Sequence, residues 1–260
     1  MKIVPIKTKI VTNKDGDLIQ FVDEHISSLK EKSIIAITSK VVAIMEKRIV
    51  NNTSIEKDKL VIEEADYYLP KIKKYNLRLT IKDNVLIPAA GIDESNAFGN
   101  FILWPEDSYK SARKIRNFLA KKFRLKNLGV VITDSKTMPL RWGTTGISIG
   151  YSGFEALNNY IGKKDLFGRE LKYTMANVAD GLAAAAVLAM GEGKEQNPIV
   201  ICEDLENINF NSNSPSLLQR KQFNISPKDD LYYPILSSVR WRSQKKTTKA
   251  ERFSDKRQGI

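Results

Sequence analysis

An apolar strand that ends in a carboxylate and runs into spaced glycines leaves a chain few ways to fold. Asp134 follows Leu128, Val130, Val131 and Ile132, within a stretch reading VITDSKTMPLRWGTTGISIGYSG from Val131 to Gly153. Gly143, Gly146, Gly150 and Gly153 then come at intervals of three, four and three. Two uses of such a segment are physically sound. The acid can hold a cation while a glycine-rich loop lets backbone N–H groups approach a phosphate. Alternatively, the segment is a tight turn and a bulged strand with no chemistry. The residues alone leave both open.

Around this stretch, strand and helix patterns mix. Residues 1–11 read as an edge strand containing Pro5, and Asp17 to about Lys30 as a helix. Ser33–Ser39 reads as an apolar strand, and Ile55–Leu69 as a helix that stops at Pro70. LRLTI and VLIP flank Lys82-Asp83-Asn84 and predict a hairpin. Ser108–Phe123 has a helical stripe of Ala112, Ile115, Phe118 and Leu119. Residues 168–193 form the longest helical pattern, with Leu171, Thr174, Met175, Val178, Leu182, Ala185, Ala186 and Ala189 on one side and Gly191 and Gly193 as its stop. The small residues Ala183–Ala186 would admit a close neighbour. Ile199–Cys202 is a last strand. The class is α+β or α/β, and the hairpin argues against a pure βαβ repeat. Residues 206–260 are polar and then basic, an extension beyond a compact region at 1–205.

The inventory excludes several chemistries. There are 260 residues, 42% apolar and 28% charged, an ordinary globular composition with enough chain for a well-buried core. No run is long enough for a membrane span, and no leader pattern precedes a cleavage site, so a cytoplasmic location is expected. One cysteine, Cys202, rules out an intrachain disulfide and a cysteine-rich zinc site. One histidine, His25, borders the stripe Leu18, Phe21, Val22, Ile26 and Leu29, so histidine catalysis is not expected. Gly146-Ile-Ser148-Ile-Gly150 fits the G-x-S-x-G elbow, but no histidine follows it to serve as base. No G-x-x-x-x-G-K-[ST] and no G-x-G-x-x-G after a strand occurs. The net charge of +12 is uneven: residues 237–260 hold eight basic against two acidic residues. Arg240, Trp241 and Arg242 at its start suit a grip on nucleic acid or another polyanion.

Acid, base or metal chemistry therefore falls to Asp, Glu or Lys. Asp93 and Asp134 each follow an apolar segment and enter a turn of small polar residues, where hard-cation ligands are presented. Glu192 lies between Gly191 and Gly193 at a helix end. The helix dipole disfavours an acid there, and a bound cation would reverse that penalty.

GIDESN (91–96), VITDS (131–135), RWGTTGISIGYSG (141–153) and IGKKDLFGRELKYTMANVADGLAAAAVLAMGEG (161–193) resemble, in order and spacing, the γ-glutamyl ligases of the deazaflavin coenzyme F-420. The likeness is strongest from Ala90 to Glu203 and absent from the last fifty or so residues. It implies a two-domain α+β fold forming an intertwined homodimer. It also implies an amide ligase that uses GTP (or ATP) with Mg²⁺ or Mn²⁺ to join L-glutamate to a carboxylate on the coenzyme's phospholactate arm. On this resemblance Asp93, Asp134, Ser135 and Glu192 bind metal, the three acids serve catalysis, and Ser39, Asn96, Arg141 and Gly143 line the nucleotide. Such a set makes chemical sense, because phosphorylating a carboxylate needs charge neutralisation more than a general base.

The departures cluster where nucleotide and acceptor would be recognised. The family's Ser-Lys-Ala-Glu-Gly-Arg is Ala43-Ile44-Met45-Glu46-Lys47-Arg48 here, keeping only Glu46 and Arg48. Its early Gly-Leu/Ile-Pro is Thr8-Lys9-Ile10, and its Gly-Arg after the second aspartate is Thr137-Met138. Two alternatives therefore stand beside the ligase: the same chemistry on another acceptor, or a non-catalytic relative that binds polyanions through the basic tail.

Overall fold

A computed structural model describes residues 1–12 and 14–244. The described chain divides into two compact units. The first holds residues 1–48 and 104–216; the second holds 49–103 and 217–244. In chain order, the first unit opens with β1 (Lys2–Ile6), α1 (Leu18–His25), β2 (Ser33–Thr38) and α2 (Ser39–Met45). The second then carries β3 (Ile49–Asn51), α3 (Lys57–Glu64), β4 (Tyr67–Tyr68), β5 (Leu79–Lys82), β6 (Val85–Pro88) and β7 (Asn100–Ile102). The first resumes with α4 (Ser108–Phe123), β8 (Leu128–Thr137), β9 (Thr144–Ser152), β10 (Leu157–Asn159), β11 (Met175–Asn177), α5 (Val178–Met190) and β12 (Ile199–Glu203). Short helices α6 (Leu217–Phe223) and α7 (Tyr233–Ser237) return to the second. The α+β class expected from the sequence is present.

The first unit is built on a five-stranded sheet in the order β1-β12-β2-β8-β9. Only β2 and β8 run parallel; the other pairs are antiparallel. The central strand β2 reads SIIAIT and buries Ile34, Ile35, Ala36 and Ile37 completely, as a strand covered on both faces must. Each of the three isoleucines contributes roughly 1.5–3 kcal/mol of transfer free energy. β1 is the edge strand, with Pro5 opposite Val200. There a missing N–H costs no ladder bond if it faces outward.

The β8–β9 ladder shifts register. Ile132 pairs with Gly150 and Thr133 with Ser148, so Ile149 is an extra residue on β9. A bulge inverts the pleat, and the glycines show it. A Cβ on Gly146 would strike the Ala183 backbone of α5, whereas a Cβ on Gly150 would come within 2.6 Å of the Ser108 backbone of α4. Residues four apart on an unbroken strand would share a face. Here they admit helices on opposite faces. For these two glycines the bulged-strand alternative holds and the glycine-loop reading does not: Gly146 and Gly150 lie inside β9 and serve packing. Gly153 has φ +91°, and its missing Cβ leaves room for Arg116, whose Nε donates to the Leu128 carbonyl at 2.9 Å. Gly143 alone sits in the turn, with φ +89° and open space around it.

Caps set the helix ends. Asp17 accepts from the N–H groups of Ile19 (2.7 Å) and Gln20 (3.1 Å) to start α1. That helix ends at His25, where Ile26 turns extended, short of the expected Lys30. α3 ends at Glu64 because the chain enters β4 at Tyr67, ahead of Pro70. The long helix expected over 168–193 is only α5. Asn177 caps it by accepting from Asp180 N–H at 2.9 Å, and Met175 lies in β11, antiparallel to β10. Leu171 and Thr174 belong to the loop before β11, where their carbonyls accept from Gly162 and Tyr160. Of the expected stripe Leu182 and Ala186 are buried in α5, joined by Ala179, Ala183 and Met190, while Ala185 and Ala189 are only partly buried; Gly191 ends the helix with φ +77°.

In the second unit, β5 and β6 make the expected hairpin, with Asp83 and Asn84 both at positive φ, the geometry of a two-residue type I′ turn. Its core gathers Leu60, Val61, Ala65, Ala90, Ile92, Phe101 and Leu103. The C-terminal stretch joins by a bridge in which Tyr68 and Arg242 exchange backbone bonds of 2.9 and 3.0 Å. Residues 206–216 instead follow the end of β9, where Asn211 N–H donates to the Gly153 carbonyl at 3.0 Å. Of the basic tail, Arg240 and Arg242 are described and the residues from Lys245 onward lie outside the described residues. Among the described residues, no helix is long and apolar enough to cross a membrane.

Candidate active site

The parallel pair β2 and β8 fixes where side chains emerge. Thr38 lies opposite Thr133, so the next residues, Ser39 and Asp134, leave the sheet core at the same carboxyl end. Open sheets with parallel strands bind ligands at that end. Ser39 is buried as the first residue of α2.

Past the bulge, alternation sends Asp134 and Ser135 to opposite faces. Ser135 is paired with Gly146, on the α5 side. Its hydroxyl donates to Glu192 Oε2 at 3.5 Å, and Thr144 Oγ1 donates to Glu192 Oε1 at 3.0 Å. Both oxygens of Glu192 therefore face hydroxyls across the mouth of the β8–β9 hairpin. The turn at Gly191 permits this by sending the chain out of α5 at positive φ. Asp134 meets Trp104, whose indole Nε1 donates to Oδ2 at 2.5 Å. Arg141 and Gly143 lie on the exposed turn between the strands, Gly143 directly before Thr144.

Asp93 and Asn96 belong to the second unit. Asp93 forms a bridge with Ile102, and its Oδ1 accepts from the Ser95 N–H (2.7 Å) and hydroxyl (2.8 Å). That is an Asx turn, the local bond that lets an aspartate organise its own loop. Asn96 is exposed at φ +53°.

Buried acids surround the first unit's sheet. Glu46 is half-buried at the end of α2 and accepts from the Ser111 hydroxyl of α4. Burial pushes its carboxyl above the usual range, with the Ser111 bond pulling the other way. Asp180 is likewise pushed up by burial, against the bond that it accepts from Ser148 N–H at 2.8 Å. It thereby ties α5 to the residue beside the bulge. His25 accepts no site role: its Nδ1 sits 2.8 Å from the Phe21 carbonyl of its own helix.

The structure thus brings Ser135, Glu192 and Thr144 together and sets Asp134 one residue earlier in β8, on the opposite face. Thr144 and Trp104 were not singled out by sequence. Their partners lie 48 and 30 residues away, and no local pattern signals either contact. Among the described residues, no group of three or more His, Cys, Asp and Glu is placed to hold a metal ion. Glu192 and the hydroxyls of Ser135 and Thr144 share one face of the hairpin mouth, and Asp134 leaves β8 on the other; all four present oxygen donors. That set suits a hard cation such as Mg²⁺ or Mn²⁺ that keeps water ligands, and it does not suit zinc.

Fold and site together define a mixed α+β protein with a cluster of oxygen-bearing side chains at the carboxyl end of its parallel strand pair. A family model described as F420-0:gamma-glutamyl ligase matches residues 5–204. Three relatives are called coenzyme F420:L-glutamate ligase. The one from Methanococcus maripaludis is 32% identical, with 85% of this chain and 95% of the relative aligned. The one from Methanopyrus kandleri is 33% identical over 79% of this chain and 88% of its own. The one from Methanocaldococcus jannaschii is 36% identical over 72% and 75%. The chain belongs to this family of γ-glutamyl ligases, enzymes that form a carbon–nitrogen amide bond.

Proposed function

We propose that the protein joins L-glutamate, through its amine, to a carboxylate of a coenzyme F420-like phosphorylated acceptor, driven by GTP or ATP with Mg²⁺ or Mn²⁺. The observation that carries this is the hairpin mouth inside the family match, where hydroxyls flank both oxygens of Glu192 one residue along β8 from Asp134. A carboxylate is a poor electrophile. In this scheme its oxygen takes the terminal phosphoryl group and the nucleoside diphosphate leaves. The glutamate amine then attacks the acyl carbon and phosphate leaves. A divalent ion, when bound, neutralises triphosphate charge. Asp134, Ser135 and Glu192 are the residues we assign to hold it, and the family resemblance adds Asp93. Ser39, Asn96, Arg141 and Gly143 are assigned to the nucleotide on the same basis.

The catalytic machinery is placed within 1–205, in the two-domain arrangement and homodimer that the resemblance implies. Leu140, Trp142, Leu166, Phe167 and Tyr173 of the first unit are nearly fully exposed and apolar, which supports an interface between copies. A polyanion-binding role for the basic tail rests on its charge alone.

The test is thermal unfolding with each nucleotide and Mn²⁺. The expected result is a rise in Tm with GTP or ATP plus Mn²⁺ that Asp134→Ala removes. No rise with any nucleotide at millimolar metal would eliminate the nucleotide-dependent mechanism.

A further inference from the structure

The carboxylate of an aspartate rotates broadly about its last torsion, so strand position alone does not aim it. Asp134 has a device that does. Trp104 is buried, 3% exposed, and its Nε1 sits 2.5 Å from Oδ2 of Asp134. An indole N–H donates and never accepts, so it engages one named oxygen of the carboxylate. The tryptophan is itself held. Its carbonyl accepts from Arg48 Nε at 3.2 Å, and Arg48 N–H in turn donates to the Ala43 carbonyl at 2.8 Å, closing the turn that ends α2. Arg48 and Trp104 are also the two residues of the first unit between which 49–103 are inserted. The chain leaves and re-enters that unit at a hydrogen-bonded pair whose far end is a site carboxylate.

We propose that Trp104 is a positioning residue: its indole N–H fixes the orientation in which Asp134 meets a divalent cation. This rests on the assignment of Asp134 as a cation ligand made above. Outer partners of this kind typically alter metal affinity by roughly 10–100-fold when removed. A tryptophan that served packing alone would also find some acceptor for its N–H, so the test must remove the donor and keep the shape.

Mn²⁺ binding to the full chain without nucleotide is measured by the loss of the free-ion EPR signal, with Tm recorded in parallel. The variants are Trp104→Phe, the chain with 3-benzothienylalanine at position 104 (the indole shape with sulfur for N–H), the chain with 5-fluorotryptophan there, and Asp134→Asn. The expected result is a Mn²⁺ affinity about tenfold or more weaker in the first two. The fluorotryptophan chain should keep parental affinity, and the benzothienyl chain should keep its Tm within a few degrees. Should the benzothienyl chain bind Mn²⁺ like the parent while Asp134→Asn does not, Trp104 only packs and the proposal falls. Should Asp134→Asn bind like the parent, the ligand assignment fails and takes this proposal with it.

Discussion

Glu46 shows at a single residue how this chain trades stability. It is half-buried, bonded to Ser111, and its carboxyl is pushed above the ordinary range by burial. A folded pKa raised above the unfolded 4.5 means that the proton is held more tightly in the native state. The penalty is absent below the unfolded value and grows as pH rises through the folded one. Glu46→Gln should therefore raise Tm at pH 7.5 and gain less at pH 4, as read by calorimetry on both proteins at each pH. An equal gain at both values, or a loss at pH 7.5, contradicts the burial argument. Glu46 and Arg48 persist where neighbouring family residues have changed, which fits an acid kept despite its cost. Lys47 beside it carries φ +59°, the left-handed turn for which the family uses glycine. Asp134, Ser135 and Glu192 stand out in the sequence through their motifs, and of these the structure puts Ser135 and Glu192 in contact. Thr144 and Trp104 were not, because what marks them is a contact across tens of residues.

At the scale of elements, the strands and the start of α1 at Asp17 were readable, while the bulged strand stood only as one of two alternatives. β2, β8 and β12 stand out as apolar runs, and the β5–β6 hairpin announces its turn. The glycine spacing after Asp134 suggested a loop because each glycine was counted as backbone freedom. Of the four glycines only Gly143 and Gly153 use positive φ, while Gly146 and Gly150 are glycine for lack of room. The apolar pattern ran on through 168–177 as if helical because the cap at Asn177 was overlooked. Gly146→Ala tests the close approach of α5 to β9. Its Cβ would meet the Ala183 backbone, which cannot swing aside like a side chain, so α5 must shift. The expected cost is about 1–3 kcal/mol in urea unfolding. Gly143→Ala would instead meet nothing, leaving only the strain of its φ. A Gly146→Ala protein as stable as the parent would mean that the helix and strand are not packed this way.

At the scale of the whole molecule, sequence order hides the partition. The change of character after Asp204 was visible, but not that 206–216 stay with the first unit while 217–244 join the inserted residues 49–103. Long-range pairing such as Tyr68 with Arg242 leaves no periodicity to read. The family match across 5–204 covers the insertion and both strands of the hairpin mouth, so the ligase chemistry is expected of the chain as a whole. The most direct measurement is mass spectrometry of the product made by the purified full chain from a coenzyme F420-type acceptor, L-glutamate, GTP and Mn²⁺. The acceptor should gain the mass of one or more glutamyl residues, with one nucleotide hydrolysed per addition, and Glu192→Gln should fold normally and add almost none. Undiminished glutamylation by Glu192→Gln, or by the parent with nucleotide left out, would contradict the site as drawn.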